Sequence, residues 1–127
     1  MSPSSYDAKM KKIKIKVQNE LKAFPVELVK EPYDDGRYKL ALGRAQKELR
    51  KKITEKDEEE IVYLLIASSF KYSKKGKRFE RYERYDYTLK LLRQHLFKVQ
   101  DATLKEKLVK LETKINKGLI KYQINEE

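Results

Sequence analysis

From Tyr82 to Tyr122 the apolar residues recur at intervals of three and four, with one short break. Tyr82, Tyr85, Leu89, Leu92, Leu96 and Val99 form a first seam, and Leu104, Leu108, Leu111, Ile115 and Tyr122 continue it. That period puts each set on one face of a helix. Asp101 stands where an N-cap would open the second helix. Two long helices joined by a short connection fold back antiparallel, and their seams require further apolar elements to cover them.

The covering element is IVYLLIASSF, residues 61–70, which is apolar on nearly every side and therefore reads as the central helix. Thr54, followed by Glu55, Asp57 and Glu58, supplies its N-cap and an acidic first turn. Gly76 can end it in the left-handed conformation, with Lys71, Lys74 and Lys75 opposing the negative end of the dipole. Upstream, Tyr38, Leu42, Ala45, Leu49 and Ile53 form another stripe, opened by Asp34 or Asp35. Gly43 interrupts it at about 1 kcal/mol relative to alanine, which would let another helix approach closely.

The N-terminal third supports two readings. Met10, Ile13, Val17, Leu21 and Phe24 share a helical face that Pro25 limits. KIKIKV, residues 12–17, alternates like an edge strand, and VELVKEPYDDGRYKLAL, residues 26–42, would then be a hairpin turning at Asp-Asp-Gly. The helical spacing runs further than the alternation. The expected fold is all-α: a single-domain bundle of four or five helices over residues 1–127, with a long antiparallel C-terminal pair. Residues 1–8 are expected to be flexible. The alternative is α+β, with a small N-terminal β-hairpin.

Length and charge narrow the function. A chain of 127 residues fits one domain that buries roughly two-thirds of its unfolded surface. Charged residues make up 40% and the net charge is +11, which favours polyanionic partners. Lysines outnumber arginines 24 to 7. Lysine suits phosphates as a point charge, whereas bidentate reading of guanine edges favours arginine. The absence of cysteine excludes disulfides and thiolate metal sites. No apolar run reaches the ~20 residues needed to span a bilayer, and MSPSSYDAKMKK holds no signal core. The expectation is a protein that is not secreted or membrane-bound, cytoplasmic or associated with nucleic acid in the nucleoid.

Three basic clusters stand out. Lys74, Lys75 and Lys77 surround Gly76, and Arg81 and Arg84 share a flank of the following helix with Lys77. Glu80 precedes Arg84 by four and is placed to pair with it. Among the interleaved aromatics, Phe70, Tyr82 and Tyr85 belong to the core, which leaves Tyr72, Phe79 and Tyr87 for the surface or for stacking on unpaired bases. The second cluster is the stripe Lys107, Lys110, Lys114, Lys117 and Lys121, with Glu106 and Glu112 read as lying off it. It extends about 21 Å along a helix, roughly 110° from the apolar seam, a length over which duplex DNA presents about twelve phosphates. Lys9, Lys11, Lys12, Lys14 and Lys16 form a less ordered basic arm.

Nothing points to catalysis. His95 is the single histidine and reads as a surface residue off the seam. Asp57, Glu58, Glu59 and Glu60 suit a helix start better than a divalent ion. Ser68 and Ser69 have no base at helical spacing, and no Gly-rich phosphate loop is present. The expected protein is a non-catalytic helical subunit or accessory factor of a nucleoprotein complex, without cofactor or metal. It would contact the DNA or RNA backbone with little sequence specificity. The alternative is a helical interaction or scaffold module that binds an acidic protein or associates with itself through the seams.

Overall fold

The computed structural model describes residues 24–123. Helix α1 is Pro25–Asp34, α2 Tyr38–Leu49, α3 Glu55–Ser73, α4 Arg78–His95 and α5 Ala102–Gln123, with a 3-10 turn at Leu96–Lys98. All five helices feed one hydrophobic cluster, and α3 packs against each of the other four. The all-α expectation holds. The helix expected over Met10–Phe24, the KIKIKV strand, the lysines from Lys9 to Lys16 and residues 1–8 lie outside the described residues, except for Phe24 itself.

Residues 26–42 do not form a hairpin. Pro25 occupies the first turn of α1, where a missing N–H is harmless. Val29 and Pro32 are fully buried three apart on one helical face. Pro32 cannot donate to the Leu28 carbonyl four residues back. The Arg44 guanidinium of α2 takes that carbonyl instead, at 3.1 Å. Asp-Asp-Gly therefore joins two helices. Asp35 caps the end of α1, Gly36 turns at φ 79°, and α2 begins after Arg37, so neither aspartate is its N-cap. On α2 the fully buried line is Ala41 and Ala45, flanked by half-buried Tyr38, Leu42 and Leu49. The small side chains let α2 lie close to α3.

Thr54 caps α3 by accepting from the Asp57 amide at 3.2 Å. Ten α3 residues are buried, from Ile61 to Ser73, which matches its place at the centre. The helix ends at Ser73, and Gly76 turns the chain into α4 at φ 96°. Asp101 caps α5, its carboxylate accepting from the Leu104 amide at 2.9 Å. Glu59 of α3 accepts from the amides of Gln100 and Asp101, tying the α4–α5 connection to the central helix.

The seams of α4 and α5 meet within one chain. Leu92, Leu108 and Ile115 are fully buried. The Tyr85 ring stacks on Tyr122 at 5.7 Å and meets Phe70 edge-on at 6.0 Å. Gly118 makes that stack fit, because a Cβ there would lie 2.8 Å from two Tyr85 ring carbons. Close approach was expected at Gly43 instead, where an added Cβ would meet nothing within 4 Å. A polar knot joins α3 to α4: Thr88 Oγ1 lies 2.5 Å from Ser69 Oγ and 3.0 Å from Ser73 Oγ. Ser73 Oγ also donates to the Ser69 carbonyl at 2.7 Å.

Candidate nucleic-acid interface

The α3–α4 turn carries Lys74, Lys75 and Lys77, all exposed. Its shape is held by two arginines. Arg81 Nε donates to the Gly76 carbonyl at 3.0 Å, and Arg84 Nη1 to the Lys75 carbonyl at 2.6 Å. Arg81 Nη1 also donates to the Tyr122 hydroxyl at 3.1 Å. Arg84 pairs with Glu80 at 3.3 Å, as their spacing suggests, and covers the Tyr72 ring at 4.1 Å. Both arginines are half-buried. They act as clamps on the turn, whereas the lysines are its outward charge.

The stripe on α5 is exposed at Lys107, Lys110, Lys114, Lys117 and Lys121. Lys107 reaches over the Tyr63 ring and Lys121 over the Tyr122 ring, each at 5.5 Å. Glu106 is close enough to pair with Lys110 at 3.4 Å, so the stripe is less acid-free than its spacing implied. Such an exposed i,i+4 pair contributes only about 0.3–0.5 kcal/mol and opens readily.

Turn and stripe are neighbours in space. The Lys74 pKa is pushed down, first by burial against its surroundings and then by the charges of Lys71 and Lys114. Its ammonium packs over the Phe70 ring at 4.6 Å. The turn meets α5 again at the helix end, where Gly76, Lys77, Arg78, Arg81, Lys121 and Tyr122 line a cleft of about 380 Å³. Among the described residues no carboxylate lines it. The Tyr122 phenol is pulled below its usual pKa, chiefly by the Arg81 hydrogen bond and further by the charges of Lys121, Arg81 and Arg78. Sequence reasoning missed Arg78 and Tyr122 as parts of this cleft. Tyr122 was assigned to the seam, and nothing local links Arg78 to the end of α5.

The remaining candidates fall into structural roles. Tyr72 is half-buried beneath Arg84, and the exposed Tyr87 accepts from Gln46 Nε2 at 2.7 Å. Phe79 is exposed on α4. His95 is half-buried rather than on the open surface, and its Nδ1 is buried without a hydrogen-bond partner. Burial and Lys98 lower its pKa, against a smaller opposing effect of Glu58. Glu58 lies 4.0 Å from Lys98, and Glu59 caps the α4–α5 connection. Among the described residues no group of histidine and carboxylate side chains is arranged to hold a metal ion. None of their helices is long and apolar enough to cross a membrane. No family model matches the chain, and neither a curated protein nor a solved structure matches it.

Proposed function

We propose that the protein binds nucleic acid through its phosphates, along a basic face that runs from the α3–α4 turn onto α5. The observation that carries this reading is the cleft where Lys77, Arg78 and Arg81 meet Lys121 of α5, which brings together two basic clusters that are far apart in sequence. Drawing like charges together disfavours their charged forms. A bound polyanion relieves that repulsion, and the lysines stay on the surface where phosphates reach them.

The division of labour among the cations supports low sequence specificity. Arg81 and Arg84, the residue type best suited to base edges, are spent on backbone carbonyls and tyrosines. Apart from Arg78, the exposed cations of this face are lysines. The role is a non-catalytic one, as a subunit or accessory protein of a nucleoprotein complex inside the cell. The burial of Leu92, Leu108 and Ile115 within one chain weighs against self-association through the seams.

Reversing Lys110, Lys114 and Lys117 to glutamate tests the reading. All three are exposed, so the helical circular dichroism should be retained. Fluorescence anisotropy on labelled random-sequence strands and duplexes should show affinity lost by more than about tenfold. A folded variant that binds as the parent does would overturn the proposal.

A further inference from the structure

Three of the four glycines have a reason inside the chain. Gly36 and Gly76 turn at positive φ, and Gly118 makes room for Tyr85. Gly43 has none of these reasons. It sits inside α2 at ordinary helical φ, and an added Cβ would meet nothing within 4 Å. Glycine there costs about 1 kcal/mol against alanine, and no contact among the described residues requires it.

What Gly43 does is line a groove of about 750 Å³ between the start of α2 and the end of α3. Its lining includes the exposed Leu40 and the half-buried Tyr38 and Tyr72, whose rings carry Lys75 at 5.2 Å and Arg84 at 4.1 Å. Lys39, Lys47 and Lys75 stand around it, and among the described residues no carboxylate lines it. Lys75 belongs to the same turn whose Gly76 and Lys77 meet α5 in the basic cleft, so the groove adjoins the basic face described above.

We infer that this groove receives unpaired bases, so that the protein prefers single strands to duplex. The inference rests on the proposed phosphate-binding face. A flat apolar ring with a negative charge on either side is the shape and charge that this lining complements. A duplex keeps its bases stacked inside and gains nothing from the groove. The absent side chain at Gly43 then leaves room for a guest.

The test compares an oligo-dT strand with a duplex of equal length by anisotropy at low salt, using the parent, Gly43→Leu and Leu40→Glu. Both positions face open space or solvent, so thermal midpoints should not fall for Gly43→Leu and serve as the folding control. The expected result is single-strand affinity about tenfold weaker in Gly43→Leu, the scale of one lost stacked base, with duplex affinity unchanged. Leu40→Glu should show the same selectivity if Gly43→Leu is unstable. Equal parent affinity for both nucleic acids, or equal losses on both, overturns the inference and leaves the phosphate-binding reading standing. Absence of any binding at low salt removes both. Gly43-dependent binding of an acidic amphipathic peptide, with nucleic acid unaffected, would assign the groove to a protein and also overturn the inference.

Discussion

Gly118 and Tyr85 set the distance between the last two helices: a methyl group at Gly118 would stand 2.8 Å from two carbons of the Tyr85 ring. The ring cannot swing away easily, because Phe70 and Tyr122 hold it from two sides. Gly118→Ala gains about 1 kcal/mol in helix propensity and should nonetheless destabilise the protein by about 1–2 kcal/mol net through overpacking. Urea denaturation measures it, and the opposite substitution effect is expected at Gly43, where alanine should stabilise.

The two stacked tyrosines should titrate in opposite directions. Burial raises the Tyr85 pKa above its usual value, whereas the Arg81 hydrogen bond lowers that of Tyr122. Absorbance at the phenolate band should therefore show Tyr122 ionising first, and Arg81→Met should move that phase upward. The depressed pKa of Tyr122 adds stability as pH rises through its folded value, complete above the unfolded value near 10. The raised pKa of Tyr85 removes stability at still higher pH.

His95 should couple folding to mild acid. Its folded pKa lies below the ordinary value of about 6.5. The native state therefore holds the neutral imidazole, and the associated stability is present above the unfolded pKa. It is lost as pH falls through the folded pKa. Lys98 strengthens the effect and Glu58 opposes it. Urea midpoints measured from pH 7.5 down to 5.5 should fall in the parent and fall less in His95→Gln.

The Ser69–Ser73–Thr88 knot should behave as a unit. Thr88→Val keeps the shape but leaves the buried Ser69 hydroxyl without its partner, at about 1–3 kcal/mol. Ser69→Ala in the Thr88→Val background should recover part of that loss. Additive effects in the double-mutant cycle would contradict the coupling.

What is legible in the sequence depends on the range of each interaction. The seams of α4 and α5, the central helix and the caps Thr54 and Asp101 were legible because spacing and capping are local. The alternative of a hairpin over residues 26–42 fails because Asp-Asp-Gly marks a turn without saying what flanks it. Deciding against strands took Pro32, whose orphaned partner carbonyl is met by Arg44 from another helix. The close approach expected at Gly43 falls at Gly118 for the same reason, since only packing shows which glycine faces a ring. For the candidate site, the individual lysines were readable from their spacing. The meeting of Lys77 with Lys121, and the recruitment of Arg78 and Tyr122, depend on how α5 lies beside the turn.

If exposed lysines neutralise phosphates, as proposed, binding must weaken steeply as salt rises. The most direct measurement is the dependence of binding affinity on salt, read by anisotropy on a random-sequence oligonucleotide from low to physiological ionic strength. With about five phosphates neutralised, the logarithm of affinity against the logarithm of salt should fall with a slope near −4, and Lys114→Glu should make it shallower. Affinity that ignores salt, or no binding at low salt, would contradict the account.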